Sequence, residues 1–361
     1  MTNGAFHAAF FMLYYYMNEN VIQMLPADTL GAMPEVYRWG IELIKLIQRA
    51  ESPALTAIMR AISAIGSEII FLPMILFIFW CIDEKRGFRL GALAIVSVWL
   101  NIFLKNFFRH PRPFFLDPSL GLVNESGFGF PSGHAQLSLT LLIPLAIWLS
   151  QAAAGEAQNK KKLIWAGAVL LISLIAFSRL YLGVHFPTDI LAGFFLGGFI
   201  LVFCFFTFPL LERFFAVTGV RSQNICAALL VLGMNSLYPP DRSLPALFLG
   251  FCIGYSMMKS RFPFTAVFLS KKEGGEKMGT EKHPIVIMFF RCVIGFAGLA
   301  IIHLVLALFF PGAGSLFSEI PIWGRASPFS DLGNFARFIL IGLWVTAGAP
   351  KVFQRMEHET E

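Results

Sequence analysis

Apolar residues run in long blocks at approximately 68–82, 90–104, 134–150, 163–181, 187–210, 224–238, 244–258, 284–310 and 333–350. A helix needs about 20 apolar residues to cross a bilayer, so the blocks predict nine spans, several of them short. The pair 224–238 and 244–258 also reads as a re-entrant hairpin. Ahead of the blocks, Trp39–Ala50 places Leu43, Leu46, Ile47 and Ala50 on one helical face and Glu42, Lys45 and Arg49 on another. A second amphipathic helix follows. Ser52 is its N-cap, Pro53 its first-turn proline, Leu55, Ile58, Met59, Ile62 and Ile65 its stripe, and Gly66 its end. Both are too polar to span and are expected at the membrane interface. The fold class expected is all-α, a polytopic transmembrane bundle, divided into an N-terminal segment 1–67, a core 68–210 and further helices 211–361 of unknown role.

Composition agrees with this pattern. Of 361 residues, 57% are hydrophobic and 14% charged, against about a quarter charged in soluble proteins. A disordered chain and an ordinary soluble two-domain enzyme are excluded. The net charge of +6 does not point to nucleic acid, because the basic residues sit in short loops, where they set topology. The loops 83–89, 151–162, 211–223 and 259–283 and the tail after 350 hold 16 Lys/Arg, and the opposite loops hold six: Lys105, Arg109, Arg112, Arg179, Arg242 and Arg325. The first set is expected to be cytoplasmic. Cys81, Cys204, Cys226, Cys252 and Cys292 fall in apolar stretches without metal-ligand spacing and read as small hydrophobes. Ala5–Met17 is apolar but lacks the basic start and cleavage site of a secretory signal, and Met17 serves as a start as well as Met1.

Three of the six minority basic residues stand in short motifs at helix ends. Lys105 precedes Arg112-Pro113 by seven residues, Pro131-Ser132-Gly133-His134 opens the next span, and Ser178-Arg179 is followed by His185 and Asp189. By the charge count all three motifs meet at one membrane face. Lys105, Arg112 and Arg179 supply cations for a tetrahedral oxyanion. Ser132 and Gly133 at a helix start offer backbone N–H groups and the positive dipole end. Together they form a phosphate cradle. His185 and Asp189 stand i, i+4 around Pro187, so the carboxylate can bind one ring nitrogen and leave the other to attack phosphorus. His134, from another span, is the expected proton donor to the leaving oxygen, and three cations stabilise the transition state without a metal or other cofactor.

The patterns K-x6-R-P, P-S-G-H and S-R-x5-H-x3-D, in this order, resemble the type 2 phosphatidic acid phosphatase (PAP2) superfamily at all eleven fixed positions. The resemblance covers 105–189 in its motifs and 68–210 with the surrounding helices. It implies a metal-independent membrane phosphatase with His185 as nucleophile, His134 as acid/base, a phosphohistidine intermediate and a site on the non-cytoplasmic side. The nine-span outline is similar to the sphingosine-phosphate and glucose-6-phosphatase branches. The expected substrate is a lipid phosphate monoester or pyrophosphate held in the bilayer.

Two rival functions share these residues. A vanadium haloperoxidase would use the cradle for vanadate with His185 as a ligand, and a lipid transporter or receptor would bind without catalysis. Elsewhere the plainer readings prevail. His303 reads as a packed, hydrogen-bonded residue, and His7, His283 and His358 as surface residues. Asn101 and Asn235 read as helix contacts, Lys160–Lys162 as a topology signal and 271–282 as a solvated linker. Ser132 is both a cap and a phosphate contact, while Arg109 and His110 stand outside the fixed positions.

Overall fold

The computed structural model describes residues 35–153, 158–266, 284–309 and 328–359. Ala5–Met17, the 271–282 stretch, His7, His283 and Arg325 lie outside the described residues, as does the side chain of His358. Every regular element among the described residues is helical. In chain order they are α1 (Glu35–Gln48), α2 (Pro53–Ile65), α3 (Glu68–Phe77, continued by a π-helical turn Ile78–Ile82), α4 (Glu84–Phe108), α5 (Pro113–Leu116), α6 (Gly133–Ala152), α7 (Gln158–Tyr181), α8 (Pro187–Leu237), α9 (Ser243–Arg261), α10 (Pro284–Phe309), α11 (Pro328–Leu343, continued by a π-helical turn Trp344–Gly348) and α12 (Ala349–Glu359).

All nine apolar blocks are helical, but nine spans are not reached. Among the described residues six helices are long and apolar enough to cross a membrane, or up to seven if Pro53–Ile65 and Glu68–Ile82 form one bent span. The expected 187–210 and 224–238 fall together in α8, whose 51 residues contain a break at Gly219 (φ 78°, ψ −171°). The break divides α8 into two helices, 187–218 and 220–237, of about 48 Å and about 27 Å at 1.5 Å per residue. The 68–82 and 244–258 blocks do not pass by themselves. Phe195, Phe205 and Phe206 are exposed along α8, an arrangement suited to lipid rather than water.

The chain forms two compact units, and neither is continuous in sequence: residues 1–67 with 104–197, and 68–103 with 198–361. In the first, α2 starts as its sequence predicts, with Ser52 Oγ accepting the Leu55 N–H. The buried faces of the two amphipathic helices differ from the expected stripes. Gly40, Ile41 and Ile44 are buried in α1 while Leu46 is 55% exposed, and Met59 is buried in α2 while Ile58 is 53% exposed. Ile41 and Ile44 pack with Leu120 and Phe186, and Met59 packs with Tyr181, Leu182 and Val184, with Ile47, Leu55 and Ile62 of the expected stripes against the same cluster. Gln48 Nε2 donates to Leu120 O and Tyr181 O at 2.9 and 2.8 Å, satisfying one carbonyl at the end of α7 and one in the loop ahead of α6.

The turn from α7 to α8 depends on Gly183, whose φ is +71° and where a Cβ would lie 1.9 Å from Leu120 O. Only glycine fits both the left-handed backbone and the contact. Gly193 acts by size alone, since a Cβ there would come 2.5 Å from Ser132 O. Its absence brings the first turns of α6 and α8 together.

The second unit has its own core of Phe79, Trp80, Cys81, Phe251, Met258 and Phe353. The sulfurs of Cys81 and Cys292 are 3.9 Å apart. Trp80 Nε1 donates to Val345 O, and buried Arg291 pairs with Glu357 through Nε at 2.9 Å and Nη2 at 3.0 Å. Arg337 Nη2 lies 2.8 Å from His303 Nδ1, so the expected hydrogen-bonding partner is present, but His303 is exposed rather than packed. Asn101 is buried, and Asn235 Oδ1 is buried without a hydrogen-bond partner.

Candidate active site

The site builds outward from the start of α8. Pro187 sets the first turn, so Phe186 is the cap residue and Asp189 the third helical residue. From there Asp189 Oδ2 reaches back to accept the Phe186 N–H at 2.9 Å, one half of a capping box. The same oxygen lies 3.2 Å from His185 Nδ1. Helix capping thus fixes the carboxylate, and the carboxylate fixes the imidazole. Asp189 O accepts the Ser132 N–H at 2.9 Å and ties the start of α6 to the start of α8.

Arg112 closes on the opposite ring nitrogen. Pro113 confines Arg112 to extended backbone (φ −84°, ψ 159°) at the cap of α5. Its buried guanidinium donates from Nη1 to Val184 O at 3.1 Å, with Nη1 3.4 Å from His185 Nε2. With Nδ1–H donating to Asp189, Nε2 carries the lone pair that faces the arginine; this tautomer follows from the two partners. Nε and Nη2 of Arg112 donate to Gly127 O and Ser126 O, each at 2.9 Å.

The remaining expected residues converge on the same group. Arg179, buried in the last turn of α7, donates to Ser63 Oγ and pairs with Glu125. Lys105 Nζ donates to Phe128 O at 2.7 Å and Gly129 O at 3.2 Å. Ser132 caps α6 with its backbone alone: Ser132 O accepts the Gln136 N–H, while the buried Oγ makes no capping bond and has no partner. The side-chain cap expected of Ser132 is therefore not made. Gly133 and His134, both half-buried, form the first turn of α6. His134 makes no hydrogen bond among the described residues, yet its charge acts on His185. The His185 pKa lies well below its ordinary value, first because the ring is buried, then through Lys105, Arg112, Arg179 and His134. A neutral imidazole with three cationic side chains around it, Lys105, Arg112 and Arg179, suits an anionic ligand.

Three contributors were not singled out from the sequence. Glu125 bridges Arg112 and Arg179; its only sequence signal is that it is the sole charged residue between Asp117 and His134. Ser63 holds Arg179 from α2. Tyr37 of α1 lies with its hydroxyl 3.4 Å from His110 Nδ1 and its ring 5.1 Å from that of Phe186. Burial raises the Tyr37 pKa, and the Asp189 carboxylate raises it further. His110 also packs on Phe130, with ring centroids 5.0 Å apart, whereas Arg109 folds back to Asn106 O.

Residues 86–213 match the PAP2 superfamily, and residues 243–361 match the PAP2 superfamily phosphatase transmembrane extension. The chain belongs to the PAP2 superfamily. The first match encloses all eight site residues expected from the sequence. The second gives a family context to a region in which no motif was legible. Among similar proteins, the undecaprenyl-diphosphatase of Sulfolobus acidocaldarius is 29% identical over 170 residues, 45% of this chain and 75% of its own. The phosphatidylglycerophosphatase B of Bacillus subtilis is 32% identical over 149 residues, 40% of this chain and 71% of its own. The crystal structure of a transmembrane PAP2-type phosphatidylglycerolphosphate phosphatase from Bacillus subtilis matches 58% of this chain and 95% of its own, at 26% identity and a TM-score of 0.42. The protein is an integral membrane enzyme of this superfamily, a phosphatase.

Proposed function

We propose that the protein hydrolyses a lipid phosphate monoester or pyrophosphate through a phosphohistidine intermediate, without a metal. The observation that carries this reading is the buried His185 ring, held by Asp189 at Nδ1 and faced by Arg112 at Nε2. The lone pair of His185 Nε2 attacks phosphorus, the N–P bond forms, and the bond to the lipid oxygen breaks. His134 gives that oxygen its proton, so the lipid leaves as an alcohol or a shorter phosphate. Deprotonated His134 then takes a proton from water, whose oxygen attacks phosphorus. The N–P bond breaks and inorganic phosphate is released with both histidines restored. Asp189 holds the Nδ1 proton and stabilises the positive ring that forms. Lys105, Arg112 and Arg179 neutralise the equatorial oxygens, and Ser132 Oγ and Arg179 Nε, both buried without a protein partner, supply further donors.

The relatives are named for a prenyl diphosphate and for phosphatidylglycerophosphate, which supports a phosphoryl group on an apolar anchor as the substrate class. The distribution of basic residues, 16 against six, supports an active site on the non-cytoplasmic face, where an outer-leaflet headgroup reaches the helix ends. Phosphate release by detergent-solubilised protein in excess EDTA tests the proposal. Activity from lipid monoesters is expected in the wild type and loss of it in His185→Ala. A strict metal requirement, or full activity in the variant, sinks the mechanism.

A further inference from the structure

Glu125 joins two of the proposed phosphate ligands, Arg112 and Arg179. Its Oε1 lies 3.2 Å from Arg112 Nη2, and its Oε2 pairs with Arg179 Nη2. The two arginine side chains are 2% and 4% exposed, whereas that of Glu125 is 29% exposed. The carboxylate therefore reaches the buried cations from the solvent side. Its neighbours act in the same sense: Ser126 O and Gly127 O accept from Arg112, and Phe128 O and Gly129 O accept from Lys105. Five consecutive residues thus each present an acceptor to the three cations assigned above to phosphate. Arg112 has the least to spare, because its N–H groups are shared among Gly127, Ser126, Glu125, Val184 and His185.

We propose that Glu125 is a specificity-determining residue: its carboxylate competes with the incoming phosphoryl group for Arg112 and Arg179, admitting phosphate monoesters and terminal diphosphates and turning away phosphodiester headgroups. The inference rests on the phosphatase reading and deepens it. A carboxylate brings one negative charge and two oxygens. A phosphodiester also brings one charge and two free oxygens, so it gains nothing by replacing Glu125. A monoester carries about −1.5 to −2 charges at pH 7 and three free oxygens, enough to displace the carboxylate and still bond the remaining donors. Partial exposure lets Glu125 withdraw into water, so its release leaves no unpaired buried charge. Discrimination of this kind matters in a bilayer, where the surrounding phospholipids are themselves phosphodiesters.

The test uses the full chain in detergent and follows phosphate release from a short-chain alkyl phosphate, with inorganic phosphate and dimethyl phosphate as competitors. In the wild type, dimethyl phosphate should inhibit at least about tenfold more weakly than phosphate, the difference of roughly one charge-assisted hydrogen bond. Glu125→Gln should tighten dimethyl phosphate and lower the KM for the monoester, narrowing the gap by about tenfold. Glu125→Asp keeps the charge and should keep the gap. Equal inhibition by the two competitors in the wild type overturns the inference without any variant being needed. An unchanged gap in Glu125→Gln also overturns it, as does a raised KM that Glu125→Asp restores, which would make Glu125 a positioning residue. Failure of the phosphatase reading itself shows differently, as no phosphate release by the wild type from any monoester.

Discussion

Two buried arginines, one in each compact unit, are held in opposite ways. Arg291, in the second unit, meets both oxygens of Glu357 through Nε and Nη2, donates to Trp80 O and lies over the Phe264 and Phe353 rings. Its charge is matched by both oxygens of one carboxylate, itself 32% exposed, and by aromatic faces. Arg112, in the first unit, is spread over three backbone carbonyls, a histidine nitrogen and one oxygen of a carboxylate that it shares with Arg179. Nearby, Arg179 Nε, Ser132 Oγ and Asp189 Oδ1 are buried without partners. A buried charge with a complete partner set serves the fold. A buried charge whose partners are exchangeable is available for chemistry.

The comparison is sharpest at His185, the proposed nucleophile, and its carboxylate Asp189. His185→Ala should lower kcat by about 10⁴-fold or more with little change in thermal unfolding, as removal of a covalent nucleophile does. Asp189→Asn should cost about 10²- to 10⁴-fold in kcat, because an amide at that point favours the wrong imidazole tautomer. An Asp189→Asn protein with wild-type kcat would remove Asp189 from the mechanism. Arg112→Lys keeps the charge but loses the fork, and a fall of about 10²-fold in kcat/KM is expected.

Arg291 provides the opposite case. Arg291→Ala removes the ion pair with Glu357 and the donor to Trp80 O, and a loss of about 1–3 kcal/mol in unfolding free energy is expected, read as a lower Tm in detergent. The residual folded fraction should keep the wild-type KM. A changed KM at unchanged stability would reverse the assignment of the two arginines.

The smallest effect expected is in the pH dependence of stability. His185 has a folded pKa well below the ordinary value, which is about 6.5. Above that value the ring is neutral in both states and contributes no slope. As pH falls below it, the unfolded chain binds a proton that the folded chain refuses, so stability declines toward the lower folded pKa. His185→Phe should flatten that part of the Tm-against-pH curve. For the same reason protonation of His185 should not limit turnover by the unliganded enzyme until well below pH 6.5.

The site was legible in the sequence where it depends on local chemistry. His185 and Asp189 meet because Pro187 starts a helix between them and i, i+4 spacing does the rest. Lys105, Arg112, Ser132, Gly133, His134 and Arg179 stood out because cations, a helix start and histidines recur at helix ends of one expected face. Glu125 and Ser63 carried no such mark. Their roles arise from contacts 54 and 116 residues away in the chain, and a lone Glu in a loop or a Ser on an amphipathic helix has many ordinary explanations.

The apolar blocks by themselves determined that the chain is helical and embedded in a membrane, because lipid leaves the backbone no other solution among elements of this length. Residue type and spacing determined the phosphate chemistry. Only the tertiary structure decided which face of α1 and α2 is buried, since Leu46 and Ile58 are as apolar as Ile41 and Met59 and periodicity does not say whether protein or lipid waits on each side. It also decided that the blocks 187–210 and 224–238 follow one another on either side of a break at Gly219, and that Arg112 and Arg179 share Glu125 as a partner. These depend on long-range packing, which the local preferences of a sequence do not encode.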